Sequence, residues 1–104
     1  MGNLKTGFVH TVFFWLKEKE NQAHRKQLHE GLLELSKIAE IGDAYIGQAA
    51  PTNREVIDNT YDFSITFVFD SAANQDIYQD HPDHHAFIAK CSMLWESVKV
   101  YDAC

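Results

Sequence analysis

Apolar and polar positions change period four times along this chain, and each change marks an element. Residues 8–16 read Phe8-Val9-His10-Thr11-Val12-Phe13-Phe14-Trp15-Leu16, a β-branched and aromatic run that predicts a strand. Alternation puts Phe8, His10, Val12, Phe14 and Leu16 on one face and Val9, Thr11, Phe13 and Trp15 on the other. Both faces are apolar, so both require cover. Leu28, Gly31, Leu32, Leu35, Ile38 and Ala39 then follow helical spacing, with Leu33 off that face. Asn21 is placed to cap this helix and Gly42 to stop it. Residues 45–50 predict a short strand, and 51–60 a polar connection rich in turn formers.

Residues 61–69 predict the strongest strand, with Tyr61, Phe63, Ile65, Phe67 and Phe69 on one face and Asp62, Ser64, Thr66 and Val68 on the other. Ser71 caps a short helix that runs to about Gln79. Asp80-His81-Pro82 breaks it, and Pro82 suits the first position of a new helix. That helix is expected to reach about Leu94, with Phe87, Ile88, Cys91, Leu94 and Trp95 as its apolar stripe. Residues 96–102 alternate again, with Val98 and Val100 on one side.

The order β-α-β-β-α-β, with the second helical region in two pieces, is the α+β ferredoxin-like arrangement. In it the first and third strands are central, and here they are the two most apolar. Two helices cover only one face of a sheet. The chain has no spare element for the second, so a second copy packed sheet on sheet is the expected cover. A bare apolar face would be an aggregation liability.

Composition narrows the function classes without selecting one. The chain has 104 residues, room for one domain, with 45% hydrophobic and 23% charged residues. Nine Lys and Arg against fifteen Asp and Glu give a net charge of −6, which argues against nucleic acid as a partner. No apolar run approaches the ~20 residues of a membrane helix, and no secretory leader pattern is visible. Two cysteines make no disulfide framework, so a reducing, cytoplasmic location is expected. A glycine-rich phosphate loop, C-x-x-C and G-x-S-x-G are all missing. Met1-Gly2-Asn3-Leu4-Lys5-Thr6 fits the loose myristoylation pattern but lacks the basic cluster of a second anchor, and we read it as chance. Residues 1–7 are expected to be a flexible segment ahead of a domain spanning 8–104.

The six histidines divide by spacing. His24 and His29 belong to the polar side of the first helix. In His81-Pro82-Asp83-His84-His85, His84 precedes Phe87 by three, Ile88 by four and Cys91 by seven, so it points with the core. His85 is rotated ~100° from it toward solvent, and His81 lies at the helix start. His84 also sits in the first helical turn, where the positive helix end favours neutral imidazole, the form a general base needs. The competing role is a partly buried histidine bonded to nearby backbone. His10 lies among apolar neighbours on a central strand, where it requires a partner or a cavity. Tyr78, six residues before His84, offers a hydroxyl that can donate or accept; its alternative role is a core aromatic. His81, Asp83, His84 and His85 invite a zinc reading, but adjacent helical histidines diverge, and no metal site is assigned. Cys91 is on the buried stripe and Cys104 at the end of the chain, neither with a Cys-His arrangement.

Three stretches together resemble a known family: residues 8–16, Tyr61-Asp62-Phe63-Ser64-Ile65, and Tyr78-Gln79-Asp80-His81-Pro82-Asp83-His84. With the closing Val98-Lys99-Val100-Tyr101-Asp102 they resemble the stress-responsive α/β-barrel (Dabb) domain over nearly the whole chain. The resemblance implies a ferredoxin-like protomer that pairs into a dimeric α/β barrel. It also implies a chemistry. The plant polyketide cyclases of this family, which make olivetolic acid, close a linear polyketide by aldol condensation without metal or organic cofactor. By motif position their base corresponds to His84, their tyrosine to Tyr78, and their first-strand histidine to His10. Two readings stay open from sequence. One is a homodimer that binds a small carbonyl compound in a barrel pocket, as a binder or a cofactor-independent lyase or cyclase. The other is a non-catalytic stress or interaction protein.

Overall fold

A computed structural model describes residues 7–104. The expected flexible segment and the Met1-Gly2 pattern lie outside these residues, apart from Gly7. Eight elements follow in order: β1 (Phe8–Leu16), α1 (Gln22–Leu35), β2 (Asp43–Gly47), β3 (Phe63–Phe69), α2 (Ala72–Asp80), α3 (Pro82–Cys91), a 3₁₀ turn (Ser92–Leu94) and β4 (Trp95–Ala103). The strand order is β2-β3-β1-β4 and every neighbouring pair is antiparallel. This is the ferredoxin-like α+β protomer, with the two most apolar strands at its centre.

The core lies between the sheet and the helices. Val12, Phe14 and Leu16 of β1, Phe63, Ile65, Phe67 and Phe69 of β3, Leu28, Leu32 and Leu35 of α1, and Phe87 and Cys91 of α3 are all buried. Gly7 enters β1 at φ 139°, and a Cβ there would stand 2.4 Å from the Phe69 carbonyl oxygen, so the close approach requires glycine. The caps act as expected: Asn21 accepts from the His24 N–H, and Ser71 from the Asn74 N–H. His81 caps α3, its Nδ1 accepting from the Asp83 N–H at 3.0 Å.

Several expectations need correction. Helix α1 ends at Leu35, well before Gly42, because Ser36 turns its hydroxyl back to the Leu33 carbonyl at 2.6 Å. Ile38 stays buried in the turns that follow, which is why its spacing looked helical. Strand β2 lies at Asp43–Gly47 rather than 45–50, its register fixed by pairing with β3. Helix α3 tightens into the 3₁₀ turn at Ser92, and Trp95 already belongs to β4.

The start of β3 differs most. Tyr61 precedes the strand and packs on Phe13 and Trp15, on the face away from the helices. Asp62, assigned to the outer face, is buried instead. Its carboxylate accepts from the Leu16 N–H at 2.8 Å, Lys19 Nζ at 2.8 Å and Arg25 Nη1 at 3.0 Å. The β1–β4 register slips between Trp15 and Leu16, and Asp62 satisfies the Leu16 N–H at that slip. Burial pushes the Asp62 pKa up, but the hydrogen bonds from Lys19, Leu16 and Arg25 outweigh it and hold the carboxyl below its ordinary value.

The second face of the sheet is built from the odd positions of β1 and their partners. Val9 pairs with Val68, Thr11 with Thr66 and Phe13 with Ser64 on one side, and Thr11 with Tyr101 on the other. None of the helices lies on it. Val9, Tyr45 and Tyr101 are exposed there, and Phe13 and Trp15 are half-buried by their neighbours in the sheet.

Candidate functional site

The candidate residues come from three elements. His10 is the third residue of β1, Tyr78 sits near the end of α2, and His84 lies in the first turn of α3. The break at His81-Pro82 sets α3 off from α2, so His84 and Tyr78 face each other across the joint with ring centroids 5.0 Å apart. His10 approaches Tyr78 from the sheet, centroids 5.7 Å apart. The three line one cavity of 240 Å³ between the helices and the sheet. Buried Val12, Phe14, Ile65, Leu35 and Phe87 line it, together with the more exposed Val98 and Val100 of the edge strand.

The resemblance implies a barrel pocket shaped by two chains; the His10–Tyr78–His84 cavity lies on the helix-covered face of the protomer. The reason is the parity of β1: His10 shares its face with Val12, Phe14 and Leu16, which α1, α2 and α3 bury.

Each residue has a distinct electrostatic state. Burial is the main cause holding the His84 pKa below the ordinary 6.5, with the His85 and His10 rings adding to it and Asp80 opposing. His84 is therefore neutral at pH 7, and its Nδ1 is buried with no hydrogen-bond partner. Burial holds the Tyr78 phenol far above its ordinary value, so it keeps its proton and is able to donate a hydrogen bond. Its ring is wedged among His10, Phe67, Phe69 and His84.

His10 has a partner that the sequence did not reveal. Its Nδ1 lies 2.6 Å from Asp102 Oδ1. An ionised carboxylate only accepts, so Nδ1 carries the proton and Nε2 is the nitrogen left for another group. His10 and Asp102 are direct cross-strand partners in the β1–β4 register. That register was the signal needed to find the pair.

The remaining histidines stand apart. His29 and His85 are exposed, and His81 serves as the helix cap. Among the described residues, no three His, Cys, Asp or Glu side chains cluster as metal ligands would. No helix among them is long and apolar enough to cross a membrane. Cys91 is buried and Cys104 exposed, and they are not paired.

A four-stranded antiparallel sheet with its helices packed on one face, and a histidine–tyrosine–histidine cavity beneath them, defines a ferredoxin-like α+β protein. Residues 8–104 match the stress responsive A/B barrel domain, Dabb, and the chain belongs to that family. A Dabb family protein with a ferredoxin-like fold from Mesorhizobium loti is 26% identical, with 95% of this chain and 97% of that one covered at a TM-score of 0.76. A dimeric ferredoxin-like protein of unknown function from Thermobifida fusca is 21% identical, covering 99% of this chain and 96% of that one at a TM-score of 0.76. The hydroxynitrile lyase of Passiflora edulis is also 21% identical, covering 93% of this chain and 92% of that one at a TM-score of 0.76. No curated protein matches the chain by sequence.

Proposed function

We propose that the protein binds a small carbonyl compound in the His10–Tyr78–His84 cavity and moves protons on it without a cofactor. The observation that carries this is the sharing of one cavity by a neutral imidazole, a protonated phenol and a carboxylate-held second imidazole. His84 is the general base, taking a proton from the substrate's hydroxyl or from a carbon beside the carbonyl. Tyr78 donates a hydrogen bond to the carbonyl oxygen, where negative charge grows as that proton leaves. Asp102 fixes the His10 ring, which presents Nε2 as a polar point for substrate binding.

A lyase or cyclase of the aldol kind needs these parts and nothing redox-active. Cleavage of a hydroxynitrile, the reaction named for one protein of this fold, also turns on a proton and a carbonyl. The cavity's 240 Å³ falls under the ~300 Å³ at which ligand pockets usually begin, a size that on its own favours the non-catalytic alternative, so the proposal requires a compact substrate.

We propose further that two copies pair through the helix-free sheet face, as the dimeric proteins of this fold would lead one to expect. Its exposed Val9, Tyr45 and Tyr101 are the surface such a partner would cover. Native mass spectrometry of freshly purified protein tests both halves. The expected result is a dimer carrying a small organic adduct that is lost in His84→Ala. A monomer at micromolar concentration contradicts the pairing. An adduct that is retained in His84→Ala contradicts the site.

A further inference from the structure

The helix-free face of the sheet carries a hollow of its own, separate from the His10–Tyr78–His84 cavity. It measures 180 Å³ and is lined by Phe13, Trp15, Asp58, Tyr61, Lys99 and Tyr101. The outward positions of β1 supply Phe13 and Trp15, β4 supplies Lys99 and Tyr101, and the segment before β3 supplies Asp58 and Tyr61. Strand register brings them together. Lys99 is the direct cross-strand partner of Phe13, and Tyr101 is the next outward position along β4.

Four rings form the walls. Ring centroids are 4.8 Å apart for Phe13 and Tyr61, 6.2 Å for Phe13 and Tyr101, and 6.4 Å for Trp15 and Tyr61, with interplanar angles of 66°, 78° and 81°. Rings tilted this steeply stand as walls around a space and do not fill it by stacking. The Trp15 indole N–H donates to Thr60 Oγ1 at 2.9 Å. Thr60 donates in turn to Asp58 Oδ1, from its hydroxyl at 2.6 Å and its backbone N–H at 2.9 Å. One short relay therefore fixes a ring and the carboxylate together, and both bonds fall on Oδ1, which leaves Oδ2 for a ligand. The bonds from Thr60 hold the Asp58 carboxyl below its ordinary pKa, and nearby Lys99 adds to the effect.

The cores of protein interfaces are depleted of charged side chains. This hollow instead holds one charge of each sign among four rings. Aromatic faces attract an alkylated ammonium, and a carboxylate beside them strengthens the attraction. A lysine in the same space suits a ligand carboxylate. We propose that the hollow binds a small zwitterion of the betaine type, a quaternary ammonium joined to a carboxylate. The ammonium lies among the rings beside Asp58, and the carboxylate meets Lys99. His10, Tyr78 and His84 take no part, so the inference stands apart from the carbonyl reading.

The test is a titration of the full chain with glycine betaine, followed by the two indole N–H signals in NMR. The Trp15 signal moves along a saturable curve, and that of Trp95, which packs on Phe14 and Phe87, stays still. 3,3-Dimethylbutyrate has the same shape without the positive charge and binds about tenfold more weakly. Asp58 and Lys99 are exposed, so substitutions there spare the core. Asp58→Asn weakens betaine binding several-fold. Lys99→Met weakens betaine binding but strengthens that of tetramethylammonium, which has no carboxylate to lose and one repulsion fewer. Opposite effects on the two cations are not expected from a structural disturbance. A Trp15 signal that ignores betaine overturns the proposal and leaves the hollow to the second copy. Equal affinity for betaine and 3,3-dimethylbutyrate overturns it as well, as does a Lys99→Met variant that shifts both cations the same way.

Discussion

The two faces of β1 carry similar side chains and have opposite fates. Val12, Phe14 and Leu16 are sealed by the chain's own helices, whereas Val9, Thr11, Phe13 and Trp15 have none over them. The sealed face also holds the one histidine of the strand, and its partners Tyr78 and His84 come from the sealing helices. The helix-free face is lined instead by threonines, Ser64 and aromatic rings. On the reading proposed above, the difference separates two tasks: the sealed face carries the candidate site, and the other face is left for a second copy.

The sharpest way to break this comparison is a cavity on the sealed face. Phe14→Ala should cost about 3–5 kcal/mol of stability by urea denaturation, because Phe14 is only 3% exposed and packs on Phe87 and Trp95. A charge on the other face should act on assembly instead. Thr11→Arg, at the centre of that face, is expected to weaken the dimer by about 100-fold in sedimentation equilibrium, since an unpaired buried charge is poorly tolerated. The protomer's helical circular dichroism should be unchanged. If Thr11→Arg leaves a dimer of unaltered affinity, the pairing lies elsewhere.

Within the sealed face, Tyr78→Phe isolates one hydroxyl. It should lower affinity for a small ketone about tenfold, the worth of one good hydrogen bond to the ligand, while leaving the ring packing intact. Equal affinity in the variant would mean that the phenol does not meet the carbonyl.

A smaller effect is expected from pH. The folded His84 pKa lies below its unfolded value near 6.5. The unfolded chain therefore takes up this proton first, so stability is full above pH 6.5 and declines as pH falls through that value and then through the folded pKa. The urea midpoint should drop between pH 7 and pH 5.5, and His84→Gln should flatten part of that slope.

How much was legible in the sequence follows from the same contrast. Strands β1 and β3 were readable because strict alternation with aromatic content leaves little choice of structure. The inward direction of His84 was readable because helical spacing ties it to Phe87 and Cys91. The end of α1 was not, because Ile38 is buried by a turn that mimics helical spacing over one more repeat. Tyr61 and Asp62 were misassigned because alternation was carried back past the start of the strand at Phe63. The His10–Asp102 pair spans 92 positions, and no local pattern encodes a register between the first and last strands. The resemblance implies a barrel pocket without saying which face holds it, whereas the parity of His10 with Val12, Phe14 and Leu16 ties it to the helix-covered face.

The central claim is that His10, Tyr78 and His84 act as one site. A ¹H–¹⁵N titration of the histidine rings with 2-butanone at neutral pH tests it most directly. The account predicts that His84 and His10 shift together along one binding curve, and that His24 and His29 stay still. Movement of exposed His85 alone, or separate curves for His84 and His10, would contradict it.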